Sequence, residues 1–133
     1  MSLKSDPRTW TDARQLRGLE GERVAARYLI ARGWSLEAHR FRMGRLEIDL
    51  IMRRLDLVAF VEVKTRETTR YGSAVEAVTA TKRREIERVA QAWMDRRGRA
   101  NDTYRFDVIG VTLHTPGGPT VLHVPDAFRA GWR

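Results

Sequence analysis

Residues 46 to 66 read LEIDLIMRRLDLVAFVEVKTR, two apolar runs on either side of a short polar break, each with charge at its centre. Glu47 to Met52 and Leu57 to Thr65 have the length and β-branched content of strands, and the turn at Arg53 to Asp56 makes them an antiparallel pair. Side chains alternate along a strand. Glu47, Asp49 and Ile51 therefore share one face of the first strand, and Val58, Phe60, Glu62 and Lys64 one face of the second. Pairing about that turn brings Asp49 within one or two rungs of Glu62, with a bulge able to shift the register. Two like charges 4 Å apart repel by about 4 kcal/mol at an effective dielectric constant of 20, several times what a surface ion pair returns. Something cationic is needed between them. Lys64 offsets part of the repulsion and a divalent metal ion does so better; the competing reading is a salt-bridge network of Asp49, Glu62, Lys64 and an arginine.

The donor types narrow the metal. The chain has no cysteine and three dispersed histidines, His39, His114 and His123, which read as surface or strand-end residues. Carboxylate oxygens without thiolates point to Mg²⁺ or Mn²⁺ rather than zinc. Mg²⁺ takes one or two carboxylates and completes its shell with water and phosphate oxygens, so the cluster suits phosphodiester chemistry.

Outward from the hairpin, a helical stripe of Leu16, Leu19, Ala25, Tyr28 and Leu29 predicts a helix from about Thr11 to Arg32, stopped by Gly33, and Trp34 to Phe41 reads as a strand. Glu22 lies on that stripe with Ala25 and Leu29, and Gly18 and Gly21 remove bulk beside it. It reads either as an exposed helical glutamate or as a third carboxylate facing the sheet. Arg66 to Val78 is a loop with a short helical turn. Thr79 or Thr81 caps a second helix whose apolar stripe is Ile86, Val89, Ala90 and Trp93, ended by Gly98. Lys82 lies four residues before Ile86, so its ammonium either reaches inward or snorkels to solvent. Tyr104 to Leu113 and Thr120 to Val124 are strands joined by the turn TPGGP. Arg105 and Asp107, on the face of Ile109 and Val111, read as a structural ion pair. The order αβββαββ, with strands apolar on both faces, predicts an α/β fold in which helices flank a central mixed β-sheet.

A chain of 133 residues is most simply one domain, with residues 1–10 a flexible amino-terminal tail and residues 11–133 the folded unit. Without cysteine it is no disulfide scaffold, and a reducing compartment, the cytoplasm, is the expectation. No apolar run approaches the roughly 20 residues that span a bilayer, so no membrane association is expected. The net charge of +8 suits a polyanionic partner, nucleic acid first. Lys4, Lys64 and Lys82 are the only lysines among 25 basic residues, the rest being arginine. A position that keeps a compact ammonium against that background has a reason to do so.

The IDLI and FVEVK segments, with Asp49 and then Glu62-Val63-Lys64, resemble the PD-(D/E)XK nuclease signature. More widely, GLEGERVAARYLIARGW, LEIDLI, FVEVKTR, YGSAVEAVT, Lys82 and RFDVIGV, spanning about Gly18 to Phe128, resemble the YraN-like family of bacterial proteins, although Leu46 stands where that family has glycine. The resemblance implies a restriction-endonuclease-like three-layer fold similar to archaeal Holliday junction resolvases; those act as dimers, which makes a homodimer one option, but no apolar exposed stripe names an interface and the oligomeric state stays open. It further implies Asp49 and Glu62 as metal ligands, with the Val63 carbonyl as another. Lys64 would orient water or stabilise charge on the scissile phosphate, and Glu22 would help to hold the metal or its water. Arg66, Tyr71 and Glu76 belong to a family-like loop where Arg66 clamps a phosphate, Tyr71 stacks on a base, and Lys82 adds to the nucleic-acid contacts; a loop closed by an ion pair of Glu76, with Tyr71 packed on the core, is the alternative. The activity implied is Mg²⁺-dependent hydrolysis of phosphodiesters, in DNA first, branched or single-stranded, during recombination, repair or DNA uptake. The rivals are a nucleic-acid-binding module that keeps the fold without turnover and a scaffold whose acidic cluster is only ion pairs.

Overall fold

The computed structural model describes Pro7, Trp10, residues 16–67 and residues 78–130, with backbone alone at 16 and 17. Among the described residues the elements are α1 (Leu16–Ile30), β1 (Ser35–Met43), β2 (Leu46–Arg54), β3 (Leu57–Arg66), α2 (Ala80–Arg97), β4 (Thr103–Thr112) and β5 (Thr120–Phe128). The expected order αβββαββ is the one found. The strands form one sheet in the order β1-β2-β3-β4-β5. Neighbouring pairs are antiparallel except β3 and β4, which run parallel because the connection between them contains α2.

Each helix covers one face, which makes three layers. Leu19, Ala25, Ala26 and Leu29 of α1 pack on Leu50, Met52, Ala59, Val61, Ile109 and Val111. On the opposite face Ile86, Val89, Ala90 and Trp93 of α2 pack on Ile48, Ile51, Val58, Phe60, Phe106 and Val108. A strand sandwiched this way must be apolar on both sides, as β2 and β3 are. Trp93 is buried against Phe60, ring centroids 5.9 Å apart. Trp93→Ala is expected to cost about 3–5 kcal/mol, measurable as a lowered urea midpoint with an unchanged slope.

Boundaries departed from expectation where long-range partners hold residues that look like turn or loop. Helix α1 ends as read, with Gly33 at φ 93° and the Trp34 N–H donating to the Leu29 carbonyl at 3.1 Å. Its expected first residues, 11–15, lie outside the described ones. The β2–β3 turn is shorter than Arg53 to Asp56, because Arg53 stays in β2 as a buried cation forked onto Asp102 at 2.6 and 2.9 Å. Strand β5 runs on past Val124 to Phe128, which pairs with Phe106 beyond a bulge in β5 that holds Asp126 at φ 52°. For α2 the cap is Thr79, whose side chain accepts the Lys82 N–H. No helix among the described residues is long and apolar enough to cross a membrane.

Candidate metal centre where β2 and β3 part

The site begins with a defect in alternation. Leu50 and Met52 face α1 while Ile51 faces α2, so strict alternation would turn Ile48 toward α1; it packs instead with Ile51 on the α2 side. Ala38 and Phe41 of β1 are likewise three apart and both pack toward α2. The pairs His39↔Leu50 and Phe41↔Ile48 bracket Arg40 and Asp49, so the two strands flip faces at the same rung without losing register. Arg40 makes the flip with φ 54°, a left-handed backbone costing a residue with a Cβ about 1–2 kcal/mol. The expected shared face of Glu47, Asp49 and Ile51 is therefore corrected: the alternation breaks at Asp49, and Glu47 pairs with Arg42 at 2.9 Å.

That flip turns Asp49 toward β3. Regular β2–β3 pairing runs from Arg54↔Leu57 to Leu50↔Val61. At the next rung side chains take over: the Val63 N–H donates to Asp49 Oδ2 at 2.8 Å, and the Asp49 N–H points at Glu62 Oε2 from 3.5 Å. Glu62 is buried and Asp49 half-buried. A strand residue's N–H and C=O point the same way when it pairs, so the Val63 carbonyl is directed at β2 as well.

Both carboxyls are charged only at a cost. Burial, then the Glu62 charge, then the Glu22 charge push Asp49 well above the usual aspartate range, against the Val63 N–H and Lys82. Burial likewise raises Glu62, opposed first by Lys82 and then by Lys64. Lys82 reaches inward from the first turn of α2, with Nζ 3.6 Å from Glu62 Oε1. Lys64 lies half-buried two residues beyond Glu62. Two of the three lysines thus converge on one carboxylate.

Glu22 faces the sheet, but as an anchor. It is buried, and its oxygens receive Arg40 Nε at 2.8 Å, Arg40 Nη2 at 3.4 Å and His39 Nε2 at 2.7 Å. Gly21 allows the approach: a Cβ there would overlap the Thr65 hydroxyl and lie 2.8 Å from its Cβ, whereas a Cβ at Gly18 would meet only Glu22 at 3.9 Å. Gly21→Ala is expected to push α1 off β3 at a cost of about 1–3 kcal/mol, and Gly18→Ala to be neutral or stabilising by up to about 1 kcal/mol, both read as melting temperatures.

The surface or strand-end placement expected for His39 is corrected by this contact; its ring also stacks on Trp10, centroids 3.5 Å apart. The Arg23 guanidinium holds the Pro7 and Trp10 carbonyls, each at 2.7 Å. These two described positions in the stretch read as a flexible tail are therefore buried. Nothing in the sequence pattern singled out His39 or Arg40, because neither sits on an apolar stripe.

Arg105 and Asp107 do pair, at 2.8 and 2.9 Å, away from the carboxylates. His123, also expected at the surface, donates its Nε2 hydrogen to the same carboxylate at 2.8 Å, and the Asp126 N–H adds a bond at 3.0 Å. His114 is exposed, as read, and meets Glu67. Burial pushes the Asp107 carboxyl up, but the His123 and Arg105 bonds outweigh it and hold the group below the usual range. Its stability contribution is complete above the ordinary aspartate value near pH 4 and is lost as pH falls through the lowered one. Asp107→Asn should flatten the acid limb of a stability–pH curve. Arg66 ends β3, while Tyr71 and Glu76 lie outside the described residues.

Residues 21–111 match the family model described as "Uncharacterised protein family UPF0102". The chain belongs to the UPF0102 family. It is 38% identical over 115 residues to a UPF0102 protein of Geobacter sulfurreducens, covering 86% of this chain and 90% of that one. It is 40% identical over 109 residues to one from Trichlorobacter lovleyi, covering 81% and 86%. With one from Rhodococcus jostii the identity is 41% over 111 residues, covering 84% and 94%. The YraN-like resemblance read from the motifs is this family.

In this UPF0102 chain the family match contains Glu22, Asp49, Glu62, Val63, Lys64, Arg66 and Lys82, and ends before β5. Among the described residues no group of three or more His, Cys, Asp or Glu side chains is poised to hold an ion. Mg²⁺ does not require one, since one or two carboxylates suffice when water and phosphate complete the shell. Asp49 and Glu62 are two adjacent hard-oxygen donors whose negative charge the surroundings disfavour, and that donor set fits Mg²⁺ or Mn²⁺.

Proposed function

We propose that this UPF0102 protein is a Mg²⁺-dependent nuclease that hydrolyses phosphodiester bonds in nucleic acid, with DNA as the first substrate, branched or single-stranded, in recombination, repair or DNA uptake. The observation that carries the reading is the placement of Asp49 and Glu62 where β2 and β3 part, with Lys64 and Lys82 beside them. A metal held there would supply Lewis-acid stabilisation of charge on the phosphate and a more acidic water. Asp49 and Glu62 would hold it, with the Val63 carbonyl directed at the same gap. Lys64 orients the attacking water or steadies charge growing on the phosphate oxygens. Lys82 balances Glu62 and keeps that carboxylate aimed. Glu22 acts through Arg40 rather than by touching the metal. In the reaction the oxygen of water bonds to phosphorus and gives up one proton to solvent as the ester P–O bond breaks, and the departing oxygen takes one proton from solvent, so the proton count is unchanged.

The first test is Mg²⁺ and Mn²⁺ binding by calorimetry with a non-cleavable oligonucleotide, on wild type and Asp49→Ala. Uptake by wild type and none by the variant supports the reading. Oligonucleotide binding that needs neither metal nor Asp49, and weakens steeply with salt, would make the protein a binding module instead.

A further inference from the structure

Beyond the carboxylates, the same face of the sheet continues as a ledge. Residues directly opposite in paired strands point to the same side. The row of Glu62, Val108 and Val124 is followed by Lys64, Gly110 and Leu122, and then by Arg66, Thr112 and Thr120. At the first row Lys82 brings the start of α2 against Glu62. Past it the character changes: Leu122 is 57% exposed, Thr120 is exposed, and Arg66, Gly110, Thr112, Thr120 and Leu122 contribute to a cleft of about 140 Å³. An apolar side chain that exposed, beside two hydroxyls and two cations, is not core left unfinished.

Glycine in a strand interior weakens the strand and often marks a site where a ligand approaches the backbone closely. Gly110 occupies such a place, between Lys64 on β3 and Leu122 on β5. Lys64 and Arg66 are two residues apart on one strand face, about 6.6 Å, a step that successive phosphates of an extended polynucleotide strand can match. Thr112 and Thr120 bring hydroxyl donors to the same row as Arg66.

We infer that this ledge is the seat of the polynucleotide strand flanking the scissile phosphate, an inference that rests on the nuclease reading. Successive phosphates meet Lys64 and Arg66, the backbone passes over Gly110, the threonine hydroxyls donate to phosphate oxygens, and a sugar or base lies on Leu122. Contacts of this kind position a strand without reading its sequence. Selection by nucleic-acid shape rather than by base order follows.

The test uses the full-length wild-type protein with Mg²⁺ and a labelled, non-cleavable single-stranded oligonucleotide followed by anisotropy. Leu122→Glu and Thr120→Glu should each weaken binding about tenfold, as expected for losing one stacking or phosphate contact. Gln91→Glu, on the outer face of α2, should leave it within about twofold. Because the chain has no cysteine, Thr120→Cys gives a single thiol that should cross-link to an oligonucleotide carrying a disulfide-activated tether, and Gln91→Cys should not. Equal binding by both ledge variants, with the parent binding well, overturns the ledge and leaves the nuclease reading standing. No binding by wild-type protein at low salt overturns the reading and the ledge together.

Discussion

Asp49→Asn is expected to abolish Mg²⁺ binding and strand cleavage while raising the melting temperature of the metal-free protein. The two effects share one cause. In the metal-free state Asp49 is held against Glu62 and near Glu22, and burial together with those charges drives its carboxyl upward. Like charges 4 Å apart repel by about 4 kcal/mol at an effective dielectric constant of 20, and Lys82 and Lys64 offset only part of this at Glu62. Asparagine keeps an oxygen for the Val63 N–H and removes the charge, so a gain of roughly 1–2 kcal/mol, or about 3–8 °C, is expected. Cleavage should fall by about a thousandfold or more, the scale on which removing one transition-state electrostatic partner acts.

The pH dependence has a definite sign. Both carboxyls bind protons more tightly in the folded state than in the unfolded one. The pair's contribution to metal-free stability is therefore complete below the ordinary carboxylate values near pH 4, and is lost as pH rises through the raised folded ones. Mg²⁺ at ten times its dissociation constant should return about 1.4 kcal/mol and flatten that fall. Urea melts at pH 5 and pH 8, with and without Mg²⁺, read this directly. A metal-free protein that gains stability over that interval while the Asp49→Asn protein does not would remove the carboxylate pair as the cause.

The second large effect is expected at Glu22. Glu22→Ala leaves Arg40 and His39 facing each other without their shared anion in a nearly closed site, with side chains about 9–10% exposed. Breaking a buried pair from one side costs about 3–5 kcal/mol. Function should suffer separately from stability, because Arg40 is the residue opposite Asp49 and its left-handed backbone sets the flip. Glu22→Gln, which keeps the shape, should still weaken Mg²⁺ binding about tenfold, as loss of an outer contact does at metal sites. Arg40→Gly adopts the backbone freely yet loses the anchor. If Asp49 is steered through this pair, the double variant should bind Mg²⁺ no worse than the poorer single one. Independent, additive losses would show that Glu22 acts on the metal by another route.

The Asp49–Glu62 juxtaposition was legible because a short turn and antiparallel pairing leave few rungs open. Lys82 is conspicuous because arginine fills nearly every other basic position, although helical periodicity alone allows its ammonium to point inward or out to solvent. The paired flip at Arg40 and Asp49 was not legible, since arginine carries no signal for φ above zero. The cage around Glu22 and the Arg53–Asp102 pair were hidden for a different reason. Their partners are far away in sequence, so the charges looked solvated until tertiary structure supplied the counterion.

The parallel pairing of β3 with β4 also bears on how the molecule is made. The β2–β3 hairpin closes over a turn of a few residues, whereas the β3–β4 ladder sets Leu57 against Thr103 and must first close the long connection through α2. Loop closure of that length is entropically slow. During refolding the hairpin is expected to form first, bringing Asp49 and Glu62 together before α2 docks and delivers Lys82. The two acids then repel each other with their main counter-charge still absent, and a divalent ion in the refolding buffer should speed the early phase more than the late one.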